Sequence, residues 1–406
     1  MKAKDMTVRF AAIQFCFWTC FAGVVAFSSF YLLGRGMTNT EIGMIIAVSG
    51  TAAALLQPVT GALMDRFRAV TSPGLLAFLF VFLIADALAL VLFPDIGTLV
   101  SGILYGLMIM TVQLTQSLMN VFGVDLMARG NRLNFNIARA VGSAGYAAAA
   151  AGIGVLTVKF PPAVIPVLVA AFAAAVVILS GTCRVGKSAA EGADTAQPAA
   201  SGPVEFLKRY PLFMLLLPAM TMIYFGHAVL NTFTLQIMNA LGAGSAEMGT
   251  ATAIAAVCEM VTVAGFSVLR KRFSIRTLLR ISGVFFALKS GLSLLAASAG
   301  GFYAAQACQM FGWGIMCVAI VYYVNDTVPE ADRAKGQTYA GMTLTAANVL
   351  SAVIGGRVID TGGIRALMLI GLAVCVCGML LMFPATRNGK RALAAEMTEK
   401  EGAGNG

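Results

Sequence analysis

The chain has 406 residues, 59% of them hydrophobic and only 11% charged, with a formal net charge of +10. Soluble domains carry about 25% charged residues, so this composition excludes a water-soluble globular protein and indicates a chain that crosses a bilayer many times. The basic balance does not imply a nucleic-acid partner, because the cations sit in short loops between apolar stretches, as membrane topology requires.

Apolar segments long enough to span, which takes about 20 residues of helix, fall roughly at 9–33, 42–63, 72–93, 98–122, 137–158, 163–182, 211–238, 248–269, 277–298, 301–324, 338–358 and 366–384. They predict an all-α membrane protein of roughly twelve transmembrane helices. The basic stretch Met1 to Arg9 precedes the first segment. That segment exceeds the 7–15 residues of a signal-peptide core, so it reads as a retained span. Cations follow every even-numbered segment: Arg66 and Arg68, Arg129 and Arg132, Arg184 to Arg209, Arg270 to Arg272, Arg333 and Lys335, and Arg387 to Arg391. By the positive-inside rule both termini are expected in the cytoplasm, with the chain in the inner membrane.

Residues 184–209 form the one long interior connection, rich in Ala, Gly, Ser and Pro, and read as a flexible cytoplasmic linker. The expected organisation is a six-helix bundle over 1–183, the linker 184–209, a second six-helix bundle over 210–385 and a cytoplasmic tail 386–406. The halves echo each other. Asp65-Arg66-Phe67 closes the second segment and Arg270-Lys271-Arg272-Phe273 the eighth, as a duplicated unit would leave. Parallel half-repeats with a midplane site between them are a transporter architecture.

Several polar residues fall inside the apolar segments. Arg139 opens the fifth, with Ser143 at i+4 and Tyr146 at i+7 on the same helix face, and with Gly142 and Gly145 beside it to allow close helix packing. An arginine at that depth is costly unless it faces protein, water or the headgroups, so it either lines a polar cavity or snorkels. Gln113, Gln116 and Asn120 share a face of the fourth segment; Tyr224, His227, Asn231 and Thr234 one of the seventh; Gln306, Gln309 and Trp313 one of the tenth. Trp18 and Gln14 share a face of the first. As interhelical glue such contacts give about 0.6–2 kcal/mol each; three stripes together favour a hydrated site. Glu259 lies within the eighth segment, Lys289 within the ninth and Asp86 within the third. Nucleotide-loop, HExxH and CxxC motifs are absent and the eight Cys lack metal spacing, so no enzyme activity, metal or cofactor is expected.

Leu56-Gln57-Pro58-Val59-Thr60-Gly61-Ala62-Leu63-Met64-Asp65-Arg66 resembles the loop motif of the major facilitator superfamily, a Gly four residues before Asp-Arg/Lys, although the second Gly and the paired basic residues of that motif are not intact. The chain is most similar to the lactose-permease-like branch, which holds proton-linked sugar symporters and aromatic-acid permease-like relatives. Arg139, Gly142, Gly145 and Tyr146 match the branch's fifth-helix binding site, Glu259 its eighth-helix glutamate, and Gly355-Gly356-Arg357-Val358-Ile359-Asp360-Thr361-Gly362-Gly363 its eleventh-to-twelfth turn. The resemblance implies substrate binding by Arg139 and Tyr146, proton coupling by Glu259 with Lys289, and conformational gating by Gly61, Asp65 and Arg66. The branch's tenth-helix His and Glu are replaced by Gln309 and Gly312, and its fourth-helix acid falls near Asn120. Neither lactose recognition nor that proton relay carries over.

The expected function is secondary active transport of a small polar or anionic organic solute by alternating access, coupled to protons. Candidate substrate-binding residues are Arg139, Tyr146, Asn120, Gln116, Gln113, Trp18, Asn231, His227, Gln309 and Trp313. The expected partners are a small-molecule substrate, protons and the lipid bilayer, with the chain a monomer. The alternatives are an uncoupled facilitator or exporter of the same fold, and a non-transporting membrane receptor.

Overall fold

The computed structural model describes residues 6–67, 70–128, 131–183 and 203–387. Among them the secondary structure consists of helices and helical turns, apart from an isolated bridge residue near Arg132. Helix α1 runs over 7–34 in three pieces, Thr7–Phe21, a π-helical turn Ala22–Ala26 and Ser28–Gly34. Helices α2 (Asn39–Arg66), α3 (Ser72–Leu92), α4 (Thr98–Ala128), α5 (Phe135–Lys159) and α6 (Val164–Thr182) complete the first half. After a short helix, Pro203–Arg209, the second half begins with α7, Pro211–Thr232 continued by Thr234–Ala240. Helices α8 (Ser245–Arg272) and α9 (Ile275–Leu295) follow. Helix α10 is broken into Ala299–Gln306, a 3-10 turn Ala307–Met310 and Trp313–Thr327. The last stretch, Glu330–Ala385, is two helices merged across Gly363, whose φ of 78° ends the first; they are α11 (330–362) and α12 (364–385). Only a residue without a Cβ adopts that φ at no cost.

Twelve spans therefore stand where the hydropathy predicts them, with two differences. The tenth is discontinuous. The carbonyl of Gly312, where the helix resumes, accepts from the Met316 N–H at 3.1 Å and also from Ser282 Oγ of α9 at 2.7 Å. The end of the expected linker is also structured. Phe206 is fully buried, with its ring centroid 4.7 Å from that of Tyr210 and 5.1 Å from that of Tyr339. One buried aromatic is enough to fix Pro203–Arg209 on the second half. Residues 184–202 and the tail from 388 lie outside the described residues.

The halves repeat one another. Helices α2 and α8 are both 28 residues long and both end at an Arg-Phe pair. One apolar core, around Phe17, Phe80, Tyr105 and Phe122, fills the first half and continues across the seam to Leu235, Met238, Met248 and Phe302; another, around Phe213, Leu278, Met316 and Tyr323, lies within the second half. The two halves meet along α2 with α11 and α5 with α8. These contacts are made at the end of the bundle that holds Gly34, Ser245 and Asp360, here called distal. A side chain on Gly43 would overlap the Ala352 carbonyl, and one on Gly249 the Ala150 carbonyl. Backbones touch there because small residues allow it.

At the proximal end, which holds Thr7, Arg66, Arg272 and Ala385, the halves separate. Leu55, Leu56, Gln57, Pro58 and Val59 of α2 are all exposed. Five consecutive residues at about 100° each cover every face of a helix, so this stretch of α2 is exposed around most of its circumference, held to the first half by Gln57 Nε2 donating to the Gln113 carbonyl of α4 at 3.4 Å and by Met64 against the core. The bundle is closed distally and open proximally.

The proximal end of α12 is tied down by Arg280 of α9. Its Nε donates to Thr386 Oγ1 at 2.8 Å, and its Nη2 to the carbonyls of Phe383 at 3.2 Å and Thr386 at 3.1 Å. These satisfy carbonyls at a helix C-terminus that lack intrahelical partners. Arg280→Ala should lower stability by about 1–3 kcal/mol, the net value of charged hydrogen bonds, read as an earlier thermal unfolding midpoint in detergent. Arg280→Lys should recover only part of the loss.

Candidate functional site

A cavity of about 420 Å³ lies between the halves, bounded by α1, α2, α4 and α5 on one side and α7, α8, α10 and α11 on the other. Pockets that enclose small organic ligands fall in the range of about 300–1,000 Å³.

The wall from the first half is built on two glycines. A Cβ on Gly142 would strike the Trp18 ring, and one on Gly145 the backbone of Phe15. Their absence lets α1 lie against α5 and sets the indole one turn from Arg139. The Arg139 guanidinium sits 4.2 Å from the Trp18 ring centroid, and its Nη1 donates to Ser143 Oγ at 2.9 Å. Trp18 Nε1 donates to Gln14 Oε1 at 2.9 Å, which fixes the ring. Tyr146 stands edge-on to Trp18 at 6.3 Å and 77°, and Phe21 closes the group 5.0 Å from Trp18. Arg139 thus turns toward the cavity rather than toward the loop. A cation over a desolvated indole gains about 2 kcal/mol, and the face of the guanidinium away from the ring is available to a ligand.

The opposite wall carries Glu259 on α8. Ala150 and Gly249 mark where α5 and α8 touch. Arg139 lies eleven residues from the first and Glu259 ten from the second, each about 15 Å along its helix at 1.5 Å per residue. The two opposite charges are therefore at one depth, both lining the cavity. Gln309, in the 3-10 turn of α10, donates through Nε2 to Glu259 Oε2 at 3.4 Å and accepts from Lys289 Nζ at 2.7 Å. Lys289 is buried, with 1% of its surface exposed. Glu259 and Lys289, expected to act together in proton coupling, are not in direct contact: an amide stands between the two charges, because the break in α10 places Gln309 there. Further along the wall His227 stacks on Trp313, with centroids 5.1 Å apart and planes at 15°, and its Nε2 lies 2.8 Å from Asn231 Nδ2.

Of the expected substrate-binding residues, Arg139, Tyr146, Gln116, Gln113, Trp18, Asn231, His227, Gln309 and Trp313 line the cavity. Asn120 does not: it is exposed, about one turn of α4 further toward the proximal end than Gln116. Lys289 does not line the cavity either and stands behind Gln309. Asp86 is on α3, away from both walls. The expected gating residues Gly61 and Arg66 lie on the exposed proximal part of α2, where Arg66 sits 5.8 Å from the Phe67 ring centroid and a Cβ on Gly61 would meet no neighbouring helix within 4 Å. The Asp65 side chain lies outside the described residues. Lining residues that were not singled out from the sequence include Phe21, Thr345 and Asn348. Thr345 and Asn348 are three apart in an apolar helix, a stripe that helical spacing could have revealed.

The sequence profile of the MFS_1 like family matches residues 7–390. No curated protein matches the chain by sequence. Among solved structures, the fold is similar to that of the nucleoside transporter NupG, with a TM-score of 0.73 at 14% identity over 93% of this chain and 97% of that one. It is also similar to a bacterial homologue of the iron transporter ferroportin in its inward-facing state, with a TM-score of 0.70 at 12% identity over 94% and 98%. An auto-inhibited peptide transporter of the POT family gives 0.69 at 14% identity over 94% and 96%.

Among the described residues, Gln309 is the one hydrogen-bond partner of the buried Lys289 ammonium. Gln309→Leu should therefore destabilise the protein by about 3–5 kcal/mol, the cost of leaving a buried charge without a partner. Adding Lys289→Met should restore most of it. Thermal unfolding of the two variants side by side in detergent checks both parts.

Proposed function

The chain belongs to the MFS_1 like family and is a multi-pass membrane transporter of the major facilitator fold, and from that premise we propose that it is a secondary transporter of a small organic anion, working by alternating access. The observation that carries this is the Arg139 guanidinium, flattened against Trp18 and facing a cavity in which its nearest acid, Glu259, is held by Gln309 instead. A planar, permanently charged fork suits a carboxylate, which it can hold through two parallel hydrogen bonds. With Glu259 ionised, Arg139 and Lys289 still leave the region one positive charge in excess, which favours a monoanion. The aromatic side chains on both walls, Trp18, Phe21 and Tyr146 opposite Trp313, offer apolar faces to the rest of the solute.

Coupling to protons is assigned to Glu259. It faces the substrate cation site at the same depth, and the Gln309 amide keeps it from being neutralised by Lys289. A carboxyl poised between burial and two nearby cations responds to any change in its surroundings, and alternating access changes those surroundings at every turnover. The uncoupled alternative has one observation in its favour: Gln309 and Gly312 of α10 cannot ionise, so Glu259 would have to act without a second titrating partner. The proximal opening faces the cytoplasm if the basic loops are retained there. That orientation makes the bundle inward-open, in the inner membrane, with both termini cytoplasmic. One chain supplies both walls of the cavity, so a monomer suffices.

Four results are expected. Uptake into proteoliposomes, screened over monocarboxylates, sugars and nucleosides with and without a pH gradient, should be confined to anions. Arg139→Lys should insert normally yet bind the transported anion about 10–100-fold more weakly, the equivalent of about one charged hydrogen bond; wild-type affinity in that variant would remove Arg139 from recognition. Glu259→Gln should retain binding and solute exchange but lose accumulation driven by the pH gradient. For orientation, single cysteines at Asp95 and Lys271 in a cysteine-free chain should label from outside and inside the cell respectively.

A further inference from the structure

The distal seam contains one acid whose partners lie in the other half of the molecule. Asp360 ends the proximal-to-distal run of α11, three residues before the Gly363 turn. Its Oδ1 accepts from the Asn39 backbone N–H at 3.2 Å and from Asn39 Nδ2 at 2.9 Å. Its Oδ2 accepts from the Thr40 N–H at 2.7 Å and from Thr40 Oγ1 at 2.6 Å. Asn39 and Thr40 are the first two residues of α2. The first turn of a helix has N–H groups with no intrahelical acceptor and a partial positive charge. In α2 the third of them, on Glu41, is met locally by Thr38 Oγ1 at 3.2 Å in a capping box. The first two are met only by Asp360, across the seam. Asn39 is held from a second direction, its Oδ1 accepting from Gln236 Nε2 of α7 at 2.8 Å. Next to these bonds, a side chain on Gly356 would overlap the Asn39 carbonyl, so the two backbones are already at contact distance.

We propose that Asp360 is a positioning residue for transport: it latches the distal gate by capping α2 from α11, and sets how much of the protein rests closed at that end. Helix α2 carries a capping box of its own, so it does not need Asp360 to stay helical. The carboxylate is exposed, so when the halves part its four donors pass to water at small cost. A latch of this kind biases an equilibrium without blocking it. The glycine contacts let the helices meet, and Asp360 makes their meeting the preferred state. The proposal rests on alternating access and not on the identity of the solute.

The test is a pair of distance measurements by electron spin resonance on the full chain in lipid nanodiscs, without ligand. Spin labels at Asp95 and Ala297 report the distal end, and labels at Arg66 and Lys271 the proximal end, in a cysteine-free background. Asp360→Asn keeps the size but replaces an all-acceptor carboxylate by an amide that sets a donor against the N–H groups. It should raise the distally separated population several-fold, in line with the modest strength of solvent-exposed charged contacts, and shorten the proximal distance in the same molecules. Unchanged populations at both ends would overturn the proposal. So would distal separation with no proximal shortening, because that would make Asp360 a local cap unconnected to the gate. Should Asp360→Asn fail to give monodisperse protein, Thr40→Val removes one of the four bonds while preserving shape. It must then shift both distances in the same directions, and no shift in it overturns the proposal equally.

Discussion

A guanidinium inside a bilayer must be stacked, paired or wetted, and the architecture around Arg139 stacks it on an indole, gives it a hydroxyl partner and turns it into a cavity. The cost of placing it there is a few kcal/mol or more. Trp18 covers one face, Ser143 takes one N–H, and the remainder faces the cavity between the halves. Each depends on something further away. The indole reaches Arg139 because Gly142 and Gly145 let α1 lie flat on α5, and the cavity is open because the halves touch only at their distal ends. Lys289 meets the same constraint by another route. It is buried entirely and leans on Gln309, which is available only because α10 breaks into a 3-10 turn. A non-α turn inside a long helix often marks a functional position, and this one sets the spacing between a buried cation and the acid that faces the substrate.

The two halves join by different means on the two sides of the cavity. The α5–α8 seam brings backbones together through Gly154 and Gly249, without a carboxylate. The α2–α11 seam adds Asp360 and the exposed first turn of α2. Small residues permit an approach without favouring it, whereas hydrogen bonds to a carboxylate favour it. A transporter needs a closed state that is preferred and still reversible. Glycine contacts combined with a solvent-exposed latch satisfy both needs.

Much of this was legible in the chain. Twelve spans, the duplicated halves and the polar faces of α4, α7 and α10 follow from hydropathy and helical spacing, because a bilayer punishes polar groups so strongly that position alone is informative. The prominence of Arg139 follows from the same rule. What could not be read is pairing across helices. Nothing local in Ala307-Cys308-Gln309-Met310 announces a break, since no proline lies in it and the glycine comes only at Gly312. Without the break, Glu259 and Lys289 look like natural partners. Phe206 could not be seen as an anchor either, because its burial depends on Tyr339, more than a hundred residues away. Asp360 belonged to a recognisable turn, but its role lies in meeting Asn39 and Thr40, which only the closed seam reveals.

The central claim is that Arg139 makes the cavity an anion site at the face of Trp18, and it can be tested before any solute is known. The chain has two tryptophans, Trp18 and Trp313, so Trp313→Phe leaves Trp18 as the only indole. Collisional quenching of its fluorescence by iodide, compared with caesium at equal ionic strength, reads the local charge directly. Iodide should quench Trp18 far more efficiently than caesium, and Arg139→Gln should abolish that preference while leaving quenching by neutral acrylamide in place. Equal quenching by the two ions in the presence of Arg139, or a preference for iodide that survives its removal, would contradict the assignment.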